Sequence, residues 1–423
     1  MLEIQTLASA AVEAALAGRN LNHVLADTWR NHPRLAPAQR ATVQDLSFGV
    51  LRFFGLLNAV LKELLQKPVP DERLRALLLV ALYQLQYTRA KAFAIVDYAV
   101  ATTEALGKPA AKGLTNAVLR NFLRRRDALL TRVVSEETAL FNHPVWWIDK
   151  TRAQYPEHWR AMLEVANKPP PMTVRVNLRR TTVEDYLRSL AAVEMQGRVL
   201  GGTAIMLAKP VPVLKLPGFV EGLVSVQDAS AQCAVPLLAL APGLRVLDAC
   251  SAPGGKTGHL LEAADVELLA LDSDPERLKR VAENLSRLNL RADLRAADAA
   301  APETWWDGQP FDRILIDAPC SGSGVVRRHP DIKWTRRPRD IAQFVGQQSR
   351  LLEALWPTLG LGGKLLYATC SVFREENHEQ IAPFLSRHPD AQCLPLVNCN
   401  TTDGQIVPDD AHDGFFYALL AKS

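Results

Sequence analysis

The 423-residue sequence has few cysteines, no long apolar run and no repeat. The six cysteines stand at 233, 250, 320, 370, 393 and 399, and no two are spaced as CxxC. That excludes a disulfide scaffold, a zinc-finger spacing and the paired thiols of a thiol oxidoreductase. The strongest apolar run, ALLLVALY, covers only 76–83, far short of the ~20 residues a spanning helix needs. The N-terminus reads MLEIQTLASA, without a basic region ahead of an apolar one, so no secretory leader is expected. A reducing cytoplasm, with no membrane partner and no metal site, is the expected setting. Two phosphate-cradling signatures are also missing, the P-loop GxxxxGK[ST] and the dinucleotide GxGxxG.

What is present fits several packed domains. Hydrophobic residues make up 48% and charged residues 22% of the chain, enough for large cores and against disorder. Charge is uneven. Residues 1–142 hold 18 Lys/Arg against 12 Asp/Glu, although the whole chain carries only +4. A basic front end on a near-neutral body suggests a polyanionic partner; charge alone leaves open an Arg-rich helical face with no partner.

The front end, to about residue 135, reads as all helix. Asp71 stands where an N-cap belongs, and Leu74, Leu77, Leu78, Ala81, Leu82 and Leu85 then recur at helical spacing. Residues 46–65 show a similar period, and 112–134 place Arg120, Arg124, Arg125, Arg126 and Arg132 on or near one side. A connector follows, broken by KPPP at 168–171. After it MTVRVNL alternates like a strand and TVEDYLRSL reads as a helix, which suits a small α+β module. From about 227 strands alternate with helices, the mark of a doubly wound parallel sheet. GFFYALLA at 414–421 reads as a closing antiparallel strand at the sheet edge. The domains are thus expected at 1–138, 139–226 and 227–423.

In such sheets ligands sit beyond the carboxyl ends of the strands. The first strand ends in Asp248, before a loop whose Gly254 and Gly255 permit a tight turn and close backbone approach. A helix starting near Lys256 would point its amide end at an anion. Asp272, ending the second strand, is placed to accept both hydroxyls of a ribose, and Asp298, ending the third, to accept from an adenine amine. Each Asp alone could be a helix N-cap. In series they suit an adenosyl ligand without a pyrophosphate, such as S-adenosylmethionine.

The fourth and fifth strands end in thiols, as IDAPCSGSG (316–324) and LLYATCS (365–371). A lone cysteine is more often a small buried hydrophobe than a nucleophile. Beside a methyl donor, a thiolate has a use. Its attack on carbon-6 of a pyrimidine breaks aromaticity and makes carbon-5 enamine-like, able to take a methyl group. Cations would lower the thiol pKa, and VVRRHPDIKWTRRPRD (325–340) offers Arg327, Arg328, His329, Lys333, Arg336, Arg337 and Arg339. The same segment could hold phosphates; its Trp334 could stack on a base or simply pack. Asp317 could bond the cytosine amino group and ring nitrogen. Spacing does not choose between Cys320 and Cys370.

Three motifs do more in combination. DACSAPGGKT (248–257), DAPCSGSGVVRRHPDIKW (317–334) and YATCSVFREEN (367–377) resemble those of the bacterial ribosomal RNA cytosine-C5 methyltransferases of the RsmB/Sun/Fmu type. The resemblance covers nearly the whole chain: the front end is similar to the antitermination factor NusB, and MTVRVNL and VQDASAQ (226–232) match the segments ahead of the core. It implies an all-α NusB-like bundle, an α+β connector and a Rossmann-like, S-adenosylmethionine-dependent methyltransferase. It implies that Ala249, Cys250, Ser251, Ala252, Pro253, Gly254, Gly255 and Lys256 bind the methionine end, Asp272 the ribose and Asp298 the adenine side, with Asp317 near the methyl group and base. It implies Cys370 as nucleophile and Cys320 as the thiol that helps release the product. Ser251 where Ala is common, and SGSG where SATG is common, keep small residues in tight loops. The implied target is cytosine 967 of 16S ribosomal RNA, naked or partly assembled, bound by a monomer. Arg124, Arg125, Arg126, Arg175, Arg327, Arg328 and Lys333 are the candidate RNA contacts. The alternatives are the same chemistry on another ribosomal or transfer RNA cytosine, or an RNA-binding assembly factor with a vestigial catalytic fold.

Overall fold

The structure is a computed structural model that describes every residue except Pro70, Asn398 and Asn400. The chain forms two compact units, one of Met1–Pro169 with Val326–Arg337, the other of Pro170–Val325 with Pro338–Ser423. Among the described residues no helix is long and apolar enough to cross a membrane.

The first unit is helical, as its sequence period requires. At its centre lies Glu72–Tyr87, where Asp71 accepts from the Leu74 amide at 2.8 Å and so satisfies an end donor of the helix. Leu77, Leu78, Leu79 and Leu82 are fully buried, because neighbours cover this helix on nearly every side. Residues 46–65 do not run as one helix: Pro37–Arg52 ends at Phe53, and Phe54–Leu64 begins beside it. Lys112–Val133 forms a single amphipathic helix that leaves Arg124 and Arg125 exposed.

This unit also contains the end of the second motif. The Lys333 ammonium is fully buried and donates to the Arg52 carbonyl and to Asn167 Oδ1, both at 2.9 Å. Trp334 Nε1 donates to the Leu51 carbonyl at 2.7 Å, and its ring meets Phe54 edge-on at 4.8 Å. Arg327 is buried as well. Lys333 and Arg327 are therefore corrected as RNA contacts, since a buried cation cannot reach a phosphate, and Trp334 packs rather than stacking on a base. Burial, and the charge of Arg52 next, push the Lys333 pKa well down.

The second unit carries two sheets. The smaller is antiparallel, in the order β2-β3-β1-β4, built from β1 (Thr173–Val176), β2 (Gly197–Gly201), β3 (Ala204–Leu207) and β4 (Val224–Val226). Thr182 caps the helix Val183–Ala192, whose Tyr186 and Leu190 pack into the core of this sheet. β1 is buried along its whole length. Its Arg175 makes a bidentate pair with Glu262 at 2.8 and 2.9 Å and also donates to the Gly255 carbonyl at 2.8 Å. Arg175 is therefore also corrected as an RNA contact: it is a buried brace between β1 and the first turn of the helix Gly255–Ala263. Removing one partner of such a pair costs about 3–5 kcal/mol, because the other charge is left buried.

The larger sheet is assembled from β5 (Arg245–Asp248), β6 (Glu267–Asp272), β7 (Asp293–Ala296), β8 (Phe311–Asp317), β9 (Leu359–Thr369), β10 (Ala391–Leu394), β11 (Gln405–Ile406) and β12 (Phe415–Lys422). Its order is β10-β12-β9-β8-β5-β6-β7, with β11 also on β12. β5 to β9 pair in parallel, and β12 runs antiparallel to β9. The closing strand is not at the edge, because β10 and β11 pair with it on its other side. Side chains alternate between two cores: Leu247, Leu269, Ile314, Ile316 and Leu365 enter one, and Val246, Leu268, Leu315 and Leu366 the other. Parallel strands covered on both faces are apolar throughout, which is why VLD, LLALD and ILID lack polar alternation.

Candidate active site

The chain lays down β5, β6 and β7 in one direction across the sheet and then returns to place β8 and β9 on the other side of β5. The switch in strand order therefore falls between β5 and β8, which end in Asp248 and Asp317. Connections leave these two ends in opposite directions, and the crevice between them is where such sheets bind ligands.

The loop after β5 is tightly braced. Asp248 is buried, and its Oδ2 accepts from the Thr257 hydroxyl at 2.7 Å. Burial pushes its carboxyl up to about 7, against the opposing Thr257 hydrogen bond. Its Oδ1 and the Ser251 hydroxyl are buried without a hydrogen-bond partner among the described residues. Gly254 has φ +95°, and a Cβ there would lie 3.0 Å from the Val281 backbone, so the turn needs glycine. The Ala252 amide donates to Asp272 Oδ2 at 3.2 Å, tying this loop to the end of β6. Lys256 pairs with Asp317 at 2.7 Å, which links the loop to the end of β8.

Beyond β5, β6 and β7 opens a cavity of about 350 Å³. Ala249, Cys250, Asp272, Asp298 and Pro319 line it, together with Leu351 from the helix Pro338–Leu355. Asp298 lies two residues past β7, is exposed, and pairs with Arg350 at 2.9 Å. Two carboxylates in a partly apolar cavity at the strand ends suit the hydroxyl and amine groups of an adenosyl ligand. Burial raises the Cys250 thiol pKa, so this cysteine serves as a small hydrophobe in the wall.

On the other side of the switch, Cys320 Sγ and Cys370 Sγ lie 3.3 Å apart, as free thiols. β8 and β9 are paired neighbours, with Asp317 opposite Ala368, and this register brings their following turns together. The Ala318 amide donates to the Ala368 carbonyl at 2.8 Å and the Gly324 amide to the Cys370 carbonyl at 2.9 Å. The Cys370 hydrogen bond, then burial, hold the Cys320 thiol well above the ordinary range. The charged neighbour that acts on Cys320 is Glu376, an anion, and no cation of 325–340 is among the influences on that thiol.

Several residues of this site are invisible to motif spacing. Glu376 is fully buried, and its carboxylate accepts from the Ser321 amide at 2.7 Å, the Ser321 hydroxyl at 2.6 Å, the Ser371 hydroxyl at 2.5 Å and Gln348 Nε2 at 3.2 Å. Gln348 also donates to the Pro319 carbonyl at 2.9 Å. Arg350 and Leu351 reach the cavity from a helix far along the chain from Asp298. The only sequence signal was indirect: Glu376 lies inside the third motif, and Gln348 and Leu351 share a helical repeat with Arg350 close by. Of the remaining RNA candidates, Arg126 bonds Gln86 at 2.8 Å and is half-buried, and Arg328 is partly buried.

The chain is 47% identical over 399 residues to ribosomal RNA small subunit methyltransferase B of Pseudomonas syringae pv. tomato, covering 90% of this chain and 89% of that protein. It is 42% identical to the protein of that name from Serratia proteamaculans, over 99% of this chain and 98% of the relative. This chain belongs to the ribosomal RNA small subunit methyltransferase B family. Residues 235–421 match the model of 16S rRNA methyltransferase RsmB/F, 143–214 that of the RsmF/B-like ferredoxin-like domain, and 3–124 that of the NusB family. The crystal structure of PH0851 superposes with TM-score 0.81 at 25% identity, covering 99% of each chain. Members of this methyltransferase family take the methyl group from S-adenosylmethionine, so the enzyme is S-adenosylmethionine-dependent. The acid-lined cavity lies beside the loop that follows β5, with Ala249 and Cys250 of that loop in its wall.

Proposed function

We propose that this enzyme methylates carbon-5 of a cytosine in the 16S ribosomal RNA of the small subunit, at position 967, by way of a covalent bond between Cys370 and carbon-6. The observation that carries this reading is the pair of thiols 3.3 Å apart at the ends of adjacent strands, next to the donor cavity that Pro319 helps to line.

Each residue then has a task. Asp272 accepts from the ribose hydroxyls, Asp298 from the adenine edge, and the 249–256 loop holds the methionine end. The bound cofactor supplies an activated methyl group. Asp317, oriented by Lys256, accepts from the cytosine amino group and so favours addition at carbon-6. A base takes the Cys370 thiol proton, the resulting thiolate bonds through Sγ to carbon-6, and the displaced π electrons leave carbon-5 nucleophilic. After methyl transfer a base takes the carbon-5 proton. That C–H pair re-forms the ring double bond as the C6–S bond breaks. Cys320, held protonated, donates a hydrogen bond to the departing sulfur and so assists release. Residues 1–138 would dock structured RNA, 139–226 support the core and 227–423 carry out the chemistry, in a monomer.

The test is transfer of labelled methyl from S-adenosylmethionine to purified small-subunit RNA, followed by mapping of the modified base. Label at carbon-5 of cytosine 967 is expected. Label at another cytosine would move the target, and label on another atom, or none on any RNA, would reject the thiol mechanism.

A further inference from the structure

Resting on the thiol chemistry just proposed, the structure assigns Glu376 as the positioning residue that sets the spacing of the two reacting sulfurs. One buried carboxylate holds the residue that follows each cysteine, Ser321 after Cys320 and Ser371 after Cys370. Its third anchor, Gln348, grips the Pro319 carbonyl on the other side of Cys320. On the far side of Cys370, Thr369 donates to Asn377 Oδ1 at 2.6 Å, and Asn377 Nδ2 returns to the Ser371 carbonyl at 3.0 Å. Glu376 is itself fixed, because the Tyr367 hydroxyl donates to its carbonyl at 2.7 Å.

This arrangement is more than a way to satisfy a buried polar group. An isolated carboxylate is costly to bury, and no cation pairs with Glu376 among the described residues; only neutral donors do. Those donors come from the two thiol turns and from the helix Pro338–Leu355, so the charge adds a three-way tie to turns that β8–β9 pairing and the Ser323–Ser371 contact already bring together. Each serine hydroxyl that donates to Glu376 also accepts from its own turn, Ser321 from the Ser323 amide at 3.3 Å and Ser371 from the Phe373 amide at 3.0 Å. The hydroxyl protons are thereby directed to the carboxylate. Ser371 Oγ also lies 3.3 Å from Ser321 Oγ, so the two turns meet one residue past the cysteines. Removing the charge loosens the residue that follows each cysteine, and each turn carries a thiol with a different task.

The full chain would be tested as Glu376→Gln, Ser321→Ala and Ser371→Ala, with S-adenosylmethionine and small-subunit RNA. Single-turnover methyl transfer and the denaturant-resistant protein–RNA band would be read for each. Ser371→Ala should lose band and transfer together, by roughly 10–100-fold, the cost of misplacing a reacting atom. Ser321→Ala should keep the first turnover and accumulate the band. Glu376→Gln should slow both steps with the KM for cofactor unchanged. A second measurement does not depend on methylation: diamide, a diazene oxidant, takes two electrons and two protons from neighbouring thiols to form a disulfide. The wild-type Cys320–Cys370 pair should close rapidly, and Glu376→Gln at least about tenfold more slowly. Equal losses in both serine variants, or wild-type disulfide closure in Glu376→Gln, would overturn the assignment. Rapid closure in a wild-type enzyme that transfers no methyl group to any RNA cytosine would uphold the positioning role and reject the cytosine chemistry. If Glu376→Gln fails to fold, the contrast between the serine variants decides.

Discussion

The two sides of the strand-order switch spend their carboxylates differently. Beyond β6 and β7, Asp272 and Asp298 line an open cavity, and Asp298 stays exposed. Beyond β8 and β9, Glu376 is fully buried and consumed by hydrogen bonds within the protein. Asp272 and Asp298 both keep an edge on the cavity, although Asp272 is buried and accepts from the Ala252 and Asp274 amides and Asp298 pairs with Arg350. The Glu376 carboxylate is scaffold, and the reactive atoms are the sulfurs it arranges. An acid near a catalytic centre is thus informative only together with its burial and its partners.

The largest effect is expected at Cys370. Cys370→Ala should abolish methyl transfer while S-adenosylmethionine binding, followed by calorimetry, stays at the wild-type level; retained turnover would place the nucleophile elsewhere. Cys320→Ala should leave an RNA-linked species that survives denaturing electrophoresis, with turnover stalled after the first event. Asp272→Asn acts on the other side. It should weaken cofactor binding by roughly 10–100-fold, the value of hydrogen bonds to a charged acceptor, and leave the Cys320–Cys370 disulfide rate in diamide untouched.

Smaller effects sharpen the picture. The Asp248 carboxyl is raised from 3.8 to about 7 by burial. The folded state therefore holds a proton that the unfolded chain releases, and stability falls as pH rises from about 4 through 7. Thermal melts of the cofactor-free protein should show the wild type losing stability relative to Asp248→Asn between about pH 5 and pH 8; parallel curves would mean that the carboxyl titrates normally. The smallest effect is expected at the basic helix. Replacing Arg124, Arg125 and Arg126 should flatten the salt dependence of RNA binding, by about 0.7–0.9 in log–log slope for each phosphate no longer neutralised. Arg126 alone should contribute little, because Gln86 already takes its guanidinium.

Much of the fold was legible in the chain. Helical spacing around Leu77 and Leu82, the apolar strands ending in Asp248, Asp272 and Asp317, and the two Cys turns all appear where periodicity put them, because side-chain period and backbone geometry are local properties. The break at Phe53 was not legible, since both flanking segments keep the same apolar period. The interior place of β12 was missed because short strands such as β11 carry almost no pattern. Arg175 and Lys333 read as surface cations for the same reason: charge is visible in a sequence, and burial is not.

The sequence by itself determined the parallel α/β core, the glycine loop, the row of acids at the strand ends and two thiols fifty residues apart, because each depends on residues that are close along the chain. The tertiary structure alone decided that those thiols touch, that Glu376 binds both of their turns, and that Arg327, Lys333 and Trp334 belong to the helical unit. Those outcomes depend on strand order and on desolvation, which are set by packing between segments far apart along the chain and leave no local signature.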